Sequence, residues 1–306
     1  MNLAALIAAL VAQYVYPPPE RAPLAAFYGR MCLSASKRLN AGDRNSGILA
    51  YGVLVVAVLV PAGLVAALAA SIHGFLLLTL DALVLFASLR FLRTTANLGA
   101  IERSLRDGDD AAASRRLAQW QGEAAAADDA GATARLAAEH GLREAHHGTF
   151  AILFWYVVLP GPLGAILYPL TQRAARLWEL GDDPDEREFG WFAARAFAFL
   201  DWIPQRLTAF VFAIVGDFED ALFCWRSQAA QWLRPGEGII LASGAGALGV
   251  RLGEPLAHGD AIVDRPSLGT GEAAGEEALA SLEGMLWRSL VLWLAAFLLL
   301  AAYSVS

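Results

Sequence analysis

The stretch Ile48–Ile72, ILAYGVLVVAVLVPAGLVAALAASI, contains no charged side chain. About 20 apolar residues cross the hydrocarbon core of a bilayer, so this stretch is long enough to span one. A second apolar stretch, Gly74–Leu92, follows almost at once, and His73 and Gly74 suit a turn. We therefore predict a transmembrane hairpin. Asp81, near the middle of the second span, is expected to face protein or water, since an acid facing lipid is costly.

Other apolar stretches suggest a polytopic protein with four to six membrane segments. They are Met1–Val15, read as an uncleaved inserted segment, Thr149–Leu170, broken at Pro160-Gly161-Pro162, Ala193–Val215 and Leu286–Val305. Prolines remove backbone donors, so the break predicts a kinked or interrupted helix packed against neighbours. Trp155, Tyr156 and Tyr168 are expected to be interfacial aromatics. Spans joined by helical loops predict an all-α integral membrane bundle.

Composition and charge support this class and exclude others. The 306-residue chain is 57% hydrophobic and 17% charged, with a mean hydropathy of +0.46. Soluble domains carry about 25% charged residues. The net charge of −7 argues against a nucleic-acid partner, since binding phosphates requires cations. Cys32 and Cys224, the two cysteines, cannot form a disulfide framework or a zinc-ligand pattern. The lipid bilayer is the partner that composition predicts.

The loops set the expected orientation. Loops 17–47 and 93–148 hold more than half of the 23 lysines and arginines, which predicts that both are cytoplasmic in a multi-pass inner-membrane protein. Residues 93–148 have helical periodicity with a break at Asp107–Asp110. Residues 216–285 contain an amphipathic stretch, Phe218–Leu233, and a glycine-rich loop. We treat 1–306 as one domain with these two insertions.

Two short patterns have functional and structural interpretations. Gly244, Gly246 and Gly249 match a dinucleotide fingerprint, but no βαβ alternation surrounds them, so a glycine-rich loop at a membrane surface is favoured. His140, Glu144 and His147 lie at helical spacing with His146 beside them, a face that can bind a transition metal or simply meet water. With no further strong ligand in sequence, no metal site is predicted.

Intramembrane ionisable residues are functional candidates by default. Asp81, Asp201 and Arg206 are of this kind, and the alternative is an ion pair that only fixes helix packing. Asp201 and Arg206 flank Pro204, and a proline kink is expected to turn both towards one cavity. We find no nucleophile elbow and no P-loop.

Several segments, in order, resemble the CobD/CbiB family of membrane cobalamin-biosynthesis proteins and its relative AmpE. They are AGALGVRLG at 245–253, LDWIPQRLT at 200–208, FGW at 189–191, AILFW at 151–155 and the charged region 107–120 ending in SRRL. In that family the implied activity is attachment of an aminopropanol-type linker to adenosylcobyric acid, an amide-forming ligase step of adenosylcobinamide-phosphate-synthase type, with ATP and Mg²⁺ implied if the chain is catalytic. A corrinoid or another anionic small molecule is the implied ligand.

The sequence also departs from the family pattern. Glu139 fits the first acid of the family's acid- and amide-rich run, whereas Arg143, Glu144 and His147 stand at later positions. Arg173 and Arg176 stand where the family has N-T-L-D, and Gly122-Glu123-Ala124-Ala125 stands where it has G-R-D-T. Arginine side chains bind carboxylate or phosphate groups, whereas Mg²⁺ requires oxygen ligands, so these replacements favour an anionic ligand over Mg²⁺.

Two functions therefore remain open from sequence. One is a cobalamin-biosynthesis protein, active or catalytically impaired, and the other is a non-catalytic AmpE-like membrane signalling protein. No catalytic residue is assigned. The expected polar cavity comprises Glu139, Arg143, Glu144, His147, Arg173, Arg176, Asp201 and Arg206, and the expected glycine-rich loop comprises Gly244, Gly246, Gly249 and Arg251.

Overall fold

The computed structural model describes residues 3–16, 23–122, 129–179, 184–258 and 261–305. Its helices are α1 Leu3–Val15, α2 Pro23–Leu39, α3 Arg44–Ile72, α4 Gly74–Ser88, α5 Phe91–Arg106, α6 Asp110–Gln121, α7 Ala130–Ala145, α8 Ala151–Val158, α9 Leu163–Glu179, α10 Pro184–Val215, α11 Phe218–Gln228, α12 Pro235–Leu248 and α13 Glu276–Val305. A π-helical turn, His146–Phe150, joins α7 to α8, and a 3₁₀ turn, Ala229–Gln231, follows α11. The fold is all-α and predominantly helical, as predicted.

Short strands are an unpredicted addition. They are β1 Val250–Leu252, β2 Leu256–His258, β3 Ala261–Val263, β4 Leu268–Gly269 and β5 Glu272–Ala273. β1 pairs antiparallel with β4 and parallel with β5, and β2 pairs antiparallel with β3. The segment expected to be an irregular glycine-rich region thus has regular pairing immediately after α12.

The predicted hairpin is present. α3 packs on α4, and His73 both ends α3 and begins α4, where its Nδ1 accepts from the Phe75 N–H at 3.1 Å. One face of α3 buries Ala50 and Leu54. The opposite face exposes valine and leucine at helical spacing, including Leu49, Val53, Val56, Val60, Leu64 and Leu68. An apolar helix with an apolar exposed face is suited to lipid rather than water.

Four helices in the described ranges have the length and apolar composition to cross a membrane. They cover Arg44–Ile72, Gly74–Arg106, Arg187–Val215 and Glu276–Tyr303. The last of these belongs to α13, which contains the predicted apolar stretch Leu286–Val305 and begins ten residues earlier, at Glu276. α1, with 13 residues, is too short to span 30 Å at 1.5 Å per residue.

The predicted span Thr149–Leu170 is interrupted, as its prolines indicated. α8 ends at Val158 and α9 begins at Leu163, with Gly161 at a positive φ of 59° between them. Neither α8 nor α9 alone is long and apolar enough to qualify as a span among the described helices. The segment therefore forms two helices joined by a break, which is the interrupted arrangement that was predicted.

The chain divides into two compact units. The first comprises Met1–Leu89 with Ala151–Trp202, and the second comprises Arg90–Phe150 with Ile203–Ser304, apart from the last residues of the chain. The prediction of one domain over 1–306 stays a prediction.

The core of the first unit is built by α2, α3 and α9. The predicted loop 17–47 contains α2, whose Tyr28 and Cys32 are buried against Leu54 and Trp178. The Trp178 indole N–H donates to the Cys32 carbonyl at 3.1 Å. This helix is amphipathic, with its apolar face in the core and its arginines and lysine exposed. Because its basic residues mark the segment as a loop between spans, its buried apolar face was not predicted.

In the second unit, α11 and α12 pack closely. A Cβ on Gly246 would lie 2.5 Å from the Asp220 carbonyl oxygen, so only glycine permits this approach. The prediction that Gly244 and Gly246 lie in a loop is wrong, because both lie within α12. Their small size serves helix packing. Gly249 ends the helix at a positive φ of 66°, and Arg251 lies in β1. The fingerprint therefore closes a helix instead of opening one, which agrees with the rejection of a dinucleotide site.

Candidate functional site

The glycine-rich signature leads into a buried ionic cluster of the second unit, and Glu139 is at its centre. Glu139 lies on α7 and is completely buried. Its carboxylate accepts from the Gly253 N–H at 3.0 Å and from the Arg265 guanidinium at 2.8 and 3.3 Å. A buried carboxylate is tolerated when it is paired and hydrogen-bonded in this way. Glu139 thus fixes the turn after β1 to α7.

Arg265 fastens the far end of the same turn. Its guanidinium donates to the carbonyls of Gly253 and Glu254, both at 3.1 Å, and lies 5.6 Å above the Trp232 ring. Five donors in a planar fork allow one arginine to bind a carboxylate, two carbonyls and an aromatic face together.

Glu254 occupies a strained position between two further arginines. Its φ of 67° lies in the left-handed region that residues with a Cβ avoid. Arg135 and Arg251 each donate to its carboxylate at 2.8 Å. Strained residues persist where their surroundings hold them, and they concentrate at functional sites. The cluster therefore combines three arginines with two glutamates and carries a net positive charge.

Gly253 gives the turn its shape. Its φ is 79°, and a Cβ would lie 2.0 Å from the Pro266 carbonyl oxygen. A side chain cannot be accommodated without moving the backbone that presents the N–H to Glu139. The end of the AGALGVRLG motif is therefore explained by the geometry of this cluster.

The other predicted residues on α7 have separate partners. Arg143 faces Glu237 at 3.6 Å, and Glu144 accepts from Arg90 at 2.7 Å. His140 stacks edge-on with Trp120 at 4.5 Å. His147 lies in the π-helical turn, where the helix no longer keeps the spacing that placed it above His140 and Glu144. The predicted face is therefore divided among several contacts.

The adjacent imidazole, His146, links two family-like segments. Its Nδ1 lies 3.0 Å from the Thr208 hydroxyl, both groups being completely buried. Thr208 closes the LDWIPQRLT segment, which also contains Arg206. The predicted ion pair of Asp201 with Arg206 stays a prediction.

Arg173, Arg176 and Asp201 lie in the first unit. Both arginines are exposed on α9, whereas Asp201 is buried and accepts from the Tyr168 hydroxyl at 2.7 Å. Tyr168 was expected at the membrane interface, as was Tyr156, and both expectations are wrong. Each tyrosine is buried, and the Tyr156 hydroxyl donates to Asp81 at 3.2 Å, because a buried acid needs a donor.

The predicted cavity residues are thus distributed over both units, and the ionic cluster unites only Glu139 and Arg251 among the predictions. Arg135, Glu254 and Arg265 were missed. Glu254 directly follows the glycine-rich signature, so its position was a usable signal. Arg265 lies 126 residues from Glu139, and no local pattern indicates this pairing.

Comparison with known proteins identifies a family and several relatives of this chain. The family model described as CobD/Cbib protein matches residues 6–285. The chain belongs to this family. The protein named Cobalamin biosynthesis protein CobD from Stutzerimonas stutzeri is 38% identical over 161 residues, which is 53% of this chain and 52% of the relative. Its namesake from Chromobacterium violaceum is 38% identical over 170 residues, 55% of this chain and 53% of the relative. The protein of the same name from Rhodobacter capsulatus is 31% identical over 176 residues, which is 56% of this chain and 54% of the relative.

These alignments span about half the length of the relatives. No solved structure matches the chain. The family assignment supports the cobalamin-biosynthesis prediction and gives no support to an AmpE-like signalling role.

Proposed function

We propose that this CobD/CbiB-family protein attaches an aminopropanol-type linker to adenosylcobyric acid at the inner membrane. In this condensation, an amide bond forms between a substrate carboxyl and the linker amine, and water is lost. Membership of the family supports the proposal, and the glycine-rich signature with its buried ionic cluster is the structural feature that carries it.

The arginines of the cluster support an anionic ligand. Arg251 is 40% exposed in its side chain, so its guanidinium has edges that face outwards beyond Glu254 and Gly271. Arg135 Nε is buried and has no hydrogen-bond partner among the described residues. A buried donor of this kind is costly unless water or a ligand supplies an acceptor. Guanidinium binds carboxylate and phosphate in bidentate geometry. We assign Arg135 and Arg251 to the recognition of substrate carboxylate or phosphate.

The same cluster is poorly suited to Mg²⁺. Magnesium requires carboxylate oxygens together with water or phosphate in octahedral geometry. Both carboxylates here are engaged by arginines, Glu139 by Arg265 and Glu254 by Arg135 and Arg251. The donor set therefore does not fit the magnesium that the family resemblance implies with ATP.

The departures from the family pattern suggest a second form of the proposal, in which the protein is catalytically impaired. Arg143, Arg173 and Arg176 replace acidic or amide positions of the family. In the impaired form, the protein binds the anionic corrinoid but does not form the amide. The two forms make different predictions for growth.

Complementation tests the proposal. A bacterial strain lacking adenosylcobinamide-phosphate synthesis receives the gene and is grown under cobalamin-dependent conditions on cobyric acid, with cobinamide as the control that bypasses the step. We expect the wild-type chain to restore growth on cobyric acid. We also expect Arg251→Gln and Arg135→Gln to reduce it, while Arg226→Gln, a change of an exposed arginine on α11, does not. Failure of the membrane-inserted wild-type chain, where the Stutzerimonas relative succeeds, contradicts the active form.

A further inference from the structure

α10 has an apolar exposed side and a polar buried side, the reverse of a helix at the surface of a soluble protein. None of its exposed residues between 196 and 215 is charged. On the buried side lie Asp201, Gln205 and Thr208. The large exposed side chains recur at helical spacing and are Phe199, Trp202, Ile203, Leu207, Phe210 and Ile214. An uninterrupted exposed apolar side of this length is suited to lipid.

The hairpin of α3 and α4 marks one edge of the hydrocarbon core at two places. Arg44 begins α3, which carries the chain away from this edge to Ile72. α4 packs on α3 and returns the chain, and Arg90 follows its last residues. Charged arginine side chains near helix ends reach towards the headgroups. Arg44 and Arg90 therefore lie at the same edge of the bilayer core, which we call the arginine edge.

The beginning of α10 lies at the arginine edge. The Glu188 carboxylate accepts from the Arg44 guanidinium at 2.6 and 3.2 Å. A Cβ on Gly47 would collide with the Phe189 carbonyl, so the backbones of α3 and α10 touch here. The guanidinium of Arg44 also lies 5.0 Å from the Trp191 ring. Tryptophan is common at the headgroup level, so this contact is typical of a membrane interface.

The later part of α10 contacts a segment beside the other arginine. The Arg90 N–H donates to the Gly148 carbonyl at 2.9 Å, and the Arg90 guanidinium donates to Glu144 at 2.7 Å. Residues 144–148 therefore lie next to Arg90. His146 belongs to this segment, and its Nδ1 lies 3.0 Å from the Thr208 hydroxyl. Thr208 is thus close to the arginine edge as well.

The separation of these two contacts along α10 decides its orientation. Glu188 and Thr208 are 20 residues apart in one helix, or about 30 Å at 1.5 Å per residue. This length is about the thickness of the hydrocarbon core, so a crossing helix would place the two residues at opposite edges. Both instead lie near the arginine edge. The helix axis therefore runs along the membrane surface, although its length and composition would permit a crossing.

We propose that α10 lies in the plane of the membrane interface, where its exposed apolar side contacts lipid at the boundary of headgroups and acyl chains. Helices of this kind insert their apolar face about 5–10 Å. The chain then stays on one side of the bilayer through α10, so α11 lies on the side of Arg44. The proposal is independent of linker attachment, since it uses no residue of the ionic cluster.

Cysteine labelling of the full-length protein in spheroplasts tests whether α10 crosses. Cysteine replaces one exposed serine on α2, one at the end of α3 and one on α11, which are Ser34, Ser71 and Ser227. Cys32 and Cys224 are completely buried, so the wild type measures the background. A membrane-impermeant maleimide is added before and after permeabilisation. We expect Ser227→Cys to label as Ser34→Cys does and Ser71→Cys to show the opposite sidedness. Labelling of Ser227→Cys together with Ser71→Cys overturns the proposal.

The depth of the exposed side is measured in phosphatidylcholine nanodiscs. Ile203, near the middle of α10, is 45% exposed, and Val60, near the middle of α3, is 52% exposed. Each is replaced by cysteine and labelled with a fluorophore that is quenched by spin-labelled lipids. We expect Ile203→Cys to be quenched more strongly by a spin label near the headgroup, and Val60→Cys by one near the end of the acyl chain. If Ile203→Cys does not fold, Phe199→Cys takes its place.

Two results of the quenching measurement contradict the proposal. Stronger quenching of the α10 label by the deep lipid, as expected for Val60→Cys, would show that α10 crosses. Lack of quenching by either lipid would show that protein, such as a second copy of this chain, covers the apolar side instead of lipid.

Discussion

Removing the Glu139 carboxylate is the most informative perturbation of the ionic cluster. Glu139→Ala leaves the Arg265 guanidinium, whose side chain is 16% exposed, facing an empty space in the core. It also removes the acceptor of the Gly253 N–H. Both Arg265 and Gly253 then hold desolvated donors without the carboxylate that satisfied them.

The magnitude follows from the ion pair and the hydrogen bond that this substitution removes. Breaking a buried ion pair by removing one partner costs about 3–5 kcal/mol, since the remaining charge is left buried and uncompensated. The bonds from Arg265 to the carbonyls of Gly253 and Glu254 remain and retain part of the turn. We therefore expect Glu139→Ala to lower the free energy of unfolding by about 3–5 kcal/mol. The double variant Glu139→Gln with Arg265→Gln, which removes both charges, is expected to cost less.

Unfolding in mixed micelles, driven by increasing SDS and followed by tryptophan fluorescence, measures these differences. Glu188→Ala is the control, because Glu188 forms an exposed ion pair with Arg44 and its loss is expected to leave unfolding unchanged. If Glu139→Ala unfolds like the wild type, or if the double variant is less stable than Glu139→Ala, the buried pair does not hold the turn and the reasoning is refuted.

Further predictions concern the turn, the orientation and the thiols. Gly249→Ala meets no atom within 4 Å but has a φ of 66°, so we expect a loss of about 1–2 kcal/mol, and Gly253→Ala, whose Cβ meets the Pro266 carbonyl, should lose more in the same SDS titration. A periplasm-active reporter fused at Asp109, which caps α6, should be silent if residues 93–148 are cytoplasmic, and a strong signal would reverse the orientation. Burial raises the pKa of the Cys32 thiol to about 11, against an opposing effect of Arg173, so little thiolate exists at pH 8 and a charged thiol reagent should label Cys32 only after SDS unfolding. Arg173→Ala and Arg176→Ala, both exposed on α9, should leave stability unchanged and weaken corrinoid binding, whereas loss of fold would place them in the core.

The features that depend on a few neighbouring residues could be predicted from the sequence. The apolar run Ile48–Ile72 predicted α3, His73 predicted the turn, and the prolines at 160 and 162 predicted the break between α8 and α9. Each of these follows from hydropathy or from the missing N–H of proline within a few residues. The helix break at Asp107–Asp110 was also predicted from a local run, which consists of three aspartates and one glycine. Asp109 caps the next helix, because its side chain accepts from the Ala112 N–H at 2.8 Å.

Long-range pairing could not be predicted in this way. Tyr168 is of a residue type that is common at membrane interfaces, and its sequence position gave no sign of a buried partner. Only the fold shows that its hydroxyl donates to Asp201. Gly244 and Gly246 lie in a glycine-rich segment that is typical of a loop. In the structure they lie within α12, where the lack of a side chain permits close packing against neighbouring residues. The bond between Arg265 and Glu139 joins segments 126 residues apart, so the cluster could be recognised only after folding.

The most direct test of the central claim is formation of the amide by the purified protein. The full-length chain in detergent is incubated with adenosylcobyric acid, an aminopropanol-type amine, ATP and Mg²⁺, and the corrinoid products are analysed by mass spectrometry. The Stutzerimonas relative is assayed in parallel under the same conditions. We predict a corrinoid whose mass equals that of the two substrates less one water, with formation reduced in Arg251→Gln and unchanged in Arg226→Gln. Binding of the corrinoid by the folded protein without this product, under conditions in which the relative forms it, would contradict the assignment of linker attachment to this chain.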